Sequence, residues 1–354
     1  MIILKGLRIF NKLTLLFLSL VFYTILFPAS LSFPSNFVIA ANDSKPVSGS
    51  LYPRNRPITI AIVPKSLDNP VFVDAKETAE LAARKLKVNL EWVGPFKVDP
   101  DVQVKIIEGL IWRKVDGIAI STSDPEKIRK VIAKAVAAGI KVATIDADCP
   151  DSKRLFYCGT DNYKAGWACG EAMVKIITEK GLAKKSLRTA ILTGGIEAHN
   201  LNERIRGFKE AVAGKINLNY VALLACDDDT STGAKVVESY IKQHPETDVF
   251  YFSGGWAFFG PTESLPIYQE WCNRGGIAVS MDTFHPVLVA AKKGFFQALV
   301  GQDFRKMGEL TVKYLVSAVK GQPIPREYID TGLELADQST FDQLLREKKP
   351  WEMK

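Results

Sequence analysis

Side chains that bind transition metals are scarce in this chain of 354 residues, which has five cysteines and three histidines. No Cys-x-x-Cys pair occurs, and the histidines stand far apart, at His199, His244 and His285. Structural zinc sites take four Cys or His ligands, usually in closely spaced pairs. The sequence therefore predicts no metal site.

Motifs of several enzyme classes are also missing. The chain has no Gly-x-Ser-x-Gly elbow, no phosphate-binding Gly-x-x-x-x-Gly-Lys-Ser/Thr loop, and no Gly-x-Gly-x-x-Gly turn after its first predicted strand. The acidic run 227–229 lacks the spacing of a calcium loop and is typical of a solvated loop. Glu203 and Arg204 open a predicted helix and are typical of surface charge. Missing motifs leave catalysis open, but nothing in the sequence supplies a nucleophile with a base, and we expect no enzymatic activity and no cofactor.

Acidic residues are absent from the first 41 positions, which contain Lys5, Arg8 and Lys12. An apolar run over 13–27 and a small-residue end at 38–41 follow these cations, an order typical of an export signal. This run of 15 residues is shorter than the roughly 20 that span a bilayer. We therefore predict a signal peptide over 1–41, a linker over 42–57 and a periplasmic protein, with an uncleaved membrane anchor as the alternative.

A cluster of basic residues is lacking in the remainder. Of the 46 Lys and Arg residues, 43 lie beyond that segment, against 39 Asp and Glu, and they are spread along the chain. Nucleic-acid-binding surfaces concentrate such charge, so we expect no nucleic-acid partner. The five cysteines also lie beyond the segment, where disulfides are permitted, but their number is odd and their pairing stays open. Cys158 and Cys169 stand in apolar stretches that favour buried thiols.

What the chain does contain is a regular alternation of short apolar runs with helical periodicity. The runs predict strands, and their two-sided apolar character indicates parallel sheets covered by helices on both faces. The alternation restarts after residue 163. The predicted strands are 58–63, 88–93, 116–120, 140–145, 188–193, 219–224, 248–252, 276–280 and 296–300.

Two consecutive units of this kind predict an α/β protein with two doubly wound parallel-sheet lobes, a cleft between them and several crossing segments. We place the N-terminal lobe at 58–159 plus about 303–322. The C-terminal lobe takes 160–302 plus about 326–354. The hinge is expected at 158–160, 300–302 and 323–325.

Polar residues stand where several predicted strands end, which is where open α/β sheets bind ligands. Asp146 ends the run GIKVATI and Asp282 follows a second strand; a carboxylate accepts strong hydrogen bonds from two neighbouring hydroxyls. Asn69 and Phe72 follow the first strand, although Asn-Pro is also a plain helix start and Phe72 fits an apolar helix stripe. Trp256, in a Gly-Gly loop, offers a flat apolar face to a sugar ring.

Several motifs in order carry a resemblance to a known family. They are DNPVF, VDGIAISTSDPEKI, AAGIKVATID, GTDN, NERIRGF, VSMD and ALVGQDFRKMGELTVKYL. Over about 58–321 the chain resembles the periplasmic sugar-binding proteins of ABC transporters, of the ribose-binding type. These proteins share their fold with the effector domains of the Lac-repressor family. The resemblance implies a solute-binding protein whose two lobes close over a ligand.

The resemblance also implies a set of ligand-binding residues. By position it assigns contacts to Asn69, Phe72 and Asp146 from the first lobe, and to Asn162, Asn202, Asp282 and Gln302 from the second lobe or hinge. Ser121 stands where ribose binders have Asn. Ala147 and Asn202 stand where they have Arg, and the loss of two guanidinium groups argues against ribose itself. Trp256 completes our expected site, which is less charged and more aromatic than a ribose site.

Capture of a monosaccharide or related polyol and its delivery to the permease of an ABC importer is the implied function. A sensory protein that presents the ligand to a membrane receptor is the alternative. We expect a monomer.

Overall fold

Residues 56–348 and residue 350 are described by the structure, a computed structural model. The predicted signal peptide and all but the last two residues of the predicted linker lie outside them. The first half of this part builds five strands and three helices. They are β1 (Thr59–Val63), α1 (Phe72–Leu86), β2 (Asn89–Trp92), α2 (Pro100–Trp112), β3 (Gly117–Ile120), α3 (Pro125–Ala137), β4 (Lys141–Ile145) and β5 (Tyr157–Gly159).

The second half repeats the alternation. Its elements are α4 (Asn162–Glu179), β6 (Leu187–Thr193), α5 (His199–Val212), β7 (Leu218–Ala225), α6 (Thr230–Gln243), β8 (Val249–Phe252), α7 (Pro266–Asn273), β9 (Ile277–Met281), α8 (His285–Lys292) and β10 (Ala298–Gln302). The chain ends with α9 (Phe304–Val319), β11 (Tyr328–Asp330), β12 (Leu333–Asp337) and α10 (Phe341–Glu347). The predicted strands are all present, within about two residues of their expected bounds.

The strands form two six-stranded sheets with equivalent orders, β11-β5-β4-β3-β1-β2 and β12-β10-β9-β8-β6-β7. Every pairing is parallel except that of β10 with β12, which is antiparallel. We call each sheet with its helices a lobe. The predicted fold of two parallel-sheet lobes is therefore confirmed.

Local sequence explains why the helices begin where they do. Asp99, Asp124, Asp161, Asp229 and Asp303 each accept a backbone N–H of the helix that follows, as good N-caps do. Helices α2, α3, α7 and α8 carry proline in their first turn, where no N–H is needed. Among the described residues no helix is long and apolar enough to cross a membrane.

Three segments cross between the sheets. The chain leaves β5 of the first sheet for α4 of the second, returns from β10 to α9, and passes from β11 to β12. The third crossing is therefore at residues 331–332 and not at the expected 323–325. β11 belongs to the first sheet, since its three residues pair with those of β5. A run of three residues is too short for its periodicity to predict this pairing. The final helix α10 packs on α8 of the second lobe.

Close helix contacts flank the first crossing. A Cβ at Gly166 of α4 would lie 1.9 Å from the carbonyl oxygen of Arg204 on α5, so only glycine allows these two helices to approach so closely. On this face of α5, the Arg204 side chain reaches the strand ends of the second sheet, where it bonds Ser253 and Gln302.

Candidate functional site

Buried polar atoms without a hydrogen-bond partner gather at the carboxyl ends of the strands in both sheets. Such atoms are uncommon in folded proteins, and each calls for an explanation, such as a bound group or a water that satisfies it. Seven of those found among the described residues end a strand or follow one within three residues. They are the side-chain oxygens of Ser66, Thr122, Thr160, Thr193, Asp228 (Oδ1), Ser253 and Thr331.

Asp146 lies in this region, directly after β4. Its backbone is left-handed, with φ of 61°, a conformation that is uncommon for residues with a side chain and concentrates at functional sites. The carboxylate is 6% exposed, and its Oδ2 accepts a 2.6 Å hydrogen bond from the Ser121 hydroxyl. Tyr157 donates its phenol hydroxyl to the Asp146 carbonyl at 2.8 Å, which fixes the turn.

Asp282 occupies the equivalent position in the second sheet, directly after β9, and is also left-handed with φ of 78°. Both of its carboxylate oxygens have protein partners. Oδ2 accepts from the backbone N–H of Gly255 and Oδ1 accepts from the amide of Gln302, each at 2.9 Å. Asp282 is therefore held firmly within its own lobe.

Arg204 organises the polar residues of the second lobe. Its guanidinium donates from Nε to Asn162 Oδ1 at 2.8 Å, from one terminal nitrogen to the Ser253 carbonyl at 2.9 Å and from the other to Gln302 Oε1 at 2.7 Å. Only 2% of the residue is exposed. The expectation of a surface charge is wrong, because α5 turns this side chain towards α4 and the strand ends.

The first lobe has a neutral counterpart in Gln103. Its side-chain amide donates to the carbonyls of Pro64 and Ser121, and its oxygen accepts from the Ser123 hydroxyl at 2.6 Å. These bonds tie the segments that follow β1 and β3 to α2. No pattern in the sequence indicated this role for Gln103.

A polar contact joins the two lobes. Lys65, two residues after β1, donates to Asn200 Oδ1 at 3.2 Å and lies 3.7 Å from Asp228 Oδ2. Burial raises the pKa of the Asp228 carboxyl, Lys65 counteracts that rise and nearby Asp146 adds to it. The expectation of a solvated acidic loop is therefore wrong for Asp228.

Aromatic rings also connect the lobes. The Phe72 ring lies 5.9 Å from that of Phe304, which lies 5.6 Å from that of Phe284 at the start of α8. Trp256 is 6% exposed, and its ring packs against Gly194 and Gly254. Both expected aromatic residues are therefore buried, Phe72 at the start of α1 in the first lobe and Trp256 shortly after β8 in the second.

The structure brings most of the expected site residues to this region. Asn69 is also buried, and its side-chain oxygen accepts from the Val71 N–H at 3.2 Å, so it shapes the start of α1. Asn202 is different: it is exposed and donates to the Ile196 carbonyl at 2.8 Å. Because residues two apart on a helix face different sides, it is Asn200 and not Asn202 that α5 turns towards the first lobe.

Two cavities are relevant to the location of a ligand site. One of about 750 Å³ lies at the rim of the cleft, between Asp68 and Asn69 of the first lobe and Asp228 and α6 of the second. A larger one of about 1050 Å³ lies on the outer side of the second lobe, beside α4 and β12. None of the unpaired buried side-chain atoms lines the larger cavity, whereas Asp228 lines the one at the cleft, which makes the cleft the better candidate.

The cysteines are all free thiols, at Cys149, Cys158, Cys169, Cys226 and Cys272. Four are buried and Cys272 is partly buried. The expectation that Cys158 and Cys169 are buried thiols is confirmed, and Cys149 has no disulfide partner.

Comparison with known proteins gives a consistent result. The sequence model of a family described as a periplasmic binding protein domain matches residues 60–323. The ribose import binding protein RbsB of Bacillus subtilis is 25% identical over 283 residues, covering 79% of this chain and 87% of that protein. A D-ribose/D-allose-binding protein of Pseudomonas aeruginosa is 26% identical over 290 residues, covering 78% and 88%.

Solved structures agree. An ABC transporter solute-binding protein of Burkholderia graminis, in complex with D-arabinose, is 33% identical with a TM-score of 0.74, covering 82% of this chain and 98% of that chain. The glucose-galactose-binding protein GanP of Geobacillus stearothermophilus is 28% identical with a TM-score of 0.72, covering 80% and 98%.

Proposed function

The chain belongs to the periplasmic binding protein family, and on that premise we propose that it captures a monosaccharide or related polyol in the cleft between its lobes and delivers it to an ABC importer. Members of this family bind solutes for transport and do not convert them. Two of the relatives named above are an import binding protein and a solute-binding protein of an ABC transporter, so the sensory alternative is not needed.

One observation carries the proposal of a polyol ligand. The hydroxyls of Ser66, Thr122, Thr160, Thr193 and Ser253 are buried and unpaired at the strand ends. Hydroxyls both donate and accept hydrogen bonds, so they suit a ligand that itself carries many hydroxyls. A single charged group would leave most of them unsatisfied.

The proposed contacts divide between the lobes. Asp146 accepts hydrogen bonds from ligand hydroxyls, supported by Ser121, while Asn69 lines the rim of the cleft and Phe72 supplies an aromatic face. From the second lobe we propose contacts with Asn162, Trp256, Asp282 and Gln302. Asn202 is left out because it is exposed and already bonded.

Delivery implies a location and a partner. We propose that the mature protein is periplasmic, exported by the signal predicted over 1–41, and that it docks on an ABC permease in the inner membrane. A monomer without nucleic-acid partners remains a prediction.

A thermal-shift screen tests the ligand class, because a ligand that binds the folded state raises the unfolding temperature. The panel contains pentoses, hexoses, deoxy sugars, inositols and sugar acids. Calorimetry on Asp146→Asn then tests the site. We expect affinity to fall roughly 10- to 150-fold, since hydrogen bonds to charged groups contribute about 1.5–3 kcal/mol.

Asp151→Asn is the matched control, because Asp151 is exposed, lies in the same loop and has the same left-handed backbone, with φ of 59°. It should bind like the unmodified protein. Undiminished affinity of Asp146→Asn would remove that residue from the site, and a panel in which nothing binds would overturn the proposed function.

A further inference from the structure

The contact of Lys65 with Asn200 and Asp228 has the features of a ligand site and not only of a structural ion pair. The Lys65 and Asp228 side chains are 6% and 7% exposed, although they come from different lobes. Their charged atoms are 3.7 Å apart, which is longer than a charge-assisted hydrogen bond. A buried pair that served stability alone would be expected to satisfy its polar atoms more completely.

Asp228 Oδ1 is the unsatisfied atom. It is fully buried and accepts no hydrogen bond from the protein. It lies 1.8 Å from the place where a Cβ on residue 194 would be, so Gly194 makes room for it. The Trp256 ring lies 2.8 Å from the same place. An unsatisfied carboxylate oxygen and an aromatic ring thus pack together against Gly194, at the end of β6.

The cations of the cleft are already bonded to protein acceptors. Each nitrogen of the Arg204 guanidinium donates, to Asn162, Ser253 and Gln302. Lys65 is shared between Asn200 and Asp228. The unsatisfied atom of this cluster is the acceptor Asp228 Oδ1, and an acceptor suits a ligand group that donates.

We propose that Asp228 is a specificity-determining residue of the ligand site, whose Oδ1 accepts a hydrogen bond from one ligand hydroxyl, with Lys65 and Asn200 as its positioning residues across the cleft. The proposal rests on the function proposed above and deepens it. It implies that the site discriminates against sugars that carry a carboxylate at the corresponding position, because two anions would then meet in a buried space.

Calorimetry on Asp228→Asn tests this inference. Asparagine tolerates the left-handed backbone at this position, where φ is 54°. Asp227→Asn is the matched control, since Asp227 is exposed, has φ of 53° and undergoes the same loss of charge. Probes are D-ribose, D-arabinose, D-allose, D-glucose and D-galactose, the monodeoxy forms of the tightest-binding sugar, and D-galacturonate.

We expect Asp228→Asn to weaken the tightest-binding sugar at least tenfold and Asp227→Asn to leave it unchanged. One monodeoxy form should bind weakly to the unmodified protein and be insensitive to Asp228→Asn, which identifies the hydroxyl that Asp228 accepts. D-galacturonate should bind at least tenfold more weakly than D-galactose, and Asp228→Asn should narrow that gap. Lys65→Met should weaken binding in the same direction, because it releases the carboxylate.

Three results would overturn the inference while leaving sugar capture intact. The first is an unchanged sugar affinity in Asp228→Asn. The second is an equal loss of affinity in Asp228→Asn for the parent sugar and for all of its deoxy forms. The third is binding of D-galacturonate to the unmodified protein as tight as that of D-galactose. The second result would mean that the contact only closes the lobes. If no sugar binds the unmodified protein, the proposed function fails and this inference fails with it.

Discussion

Asp146 and Asp282 occupy the same place in the two lobes, yet their surroundings differ. Each follows the strand at the third position of its sheet and each has a left-handed backbone. The Asp146 carboxylate has one side-chain partner, Ser121, whereas Asp282 is bonded by Gly255 and Gln302. Equivalent folds have thus produced a lightly held carboxylate in the first lobe and a tightly held one in the second.

The residues that tie the strand ends together also differ between the two lobes. The strand ends of the first lobe are tied together by the neutral amide of Gln103. Those of the second lobe are tied together by the charged guanidinium of Arg204. We infer that the second lobe presents a rigid polar surface, while the first supplies a carboxylate with capacity left for a ligand.

The largest effect on stability is expected from removal of the two organisers. Arg204→Ala leaves the acceptors of Asn162, Ser253 and Gln302 buried without a donor, at about 1–3 kcal/mol for each orphaned group. We expect a loss of more than about 3 kcal/mol in the free energy of unfolding, measured in urea, and a smaller loss of about 2 kcal/mol for Gln103→Ala, because its hydrogen bonds join neutral groups and are weaker than those of a guanidinium. Equal losses would show that the two lobes are organised to the same degree.

Substitution of the two aspartates should affect ligand binding and protein stability differently. Asp282→Asn places its amide NH₂ against one of the two donors, Gly255 or Gln302, so we expect a loss of about 1–3 kcal/mol in unfolding free energy together with weaker ligand binding. Asp146→Asn should change stability little, because the Ser121 hydroxyl can still donate to the amide oxygen. Thermal unfolding without ligand distinguishes them. A marked destabilisation by Asp146→Asn would contradict the contrast.

The smallest effect is expected in the labelling rate of the cysteine thiols, which depends on local opening of the lobe that buries each of them. Burial raises the pKa of Cys149 to about 11, of Cys158 to about 12 and of Cys272 to about 12. At pH 8 the thiolate fraction is therefore at most about one in a thousand, against roughly a quarter for an ordinary thiol. Ellman's reagent should label the native protein slowly and all five thiols quickly in denaturant.

Because the thiolate is the reactive form, the native labelling rate should rise with pH below those pKa values. Cys149 and Cys158 report the first lobe, and the other three report the second. Rapid labelling of the first-lobe thiols at pH 8 would show that this lobe opens locally, which would sharpen the contrast with the second.

Much of the fold could be predicted from the sequence because its signals are local. Apolar runs bounded by caps and prolines indicated nine of the twelve strands found in the described residues, and the residue after such a run, Asp146 or Asp282, is placed at the sheet edge by the strand itself. β5, β11 and β12 were missed. The three residues of β11 acquire strand structure only by pairing with β5.

The sequence by itself therefore determined the two parallel sheets, their order along the chain and the polar residues that end their strands. Tertiary structure alone decided which other side chains join them. Arg204 and Asp228 look like surface charges in the sequence and are buried in the fold, while Asn202 faces outward and Asn200 inward. The physical reason is that burial of a charge depends on partners distant in the chain, such as Lys65, which no local pattern can bring into contact.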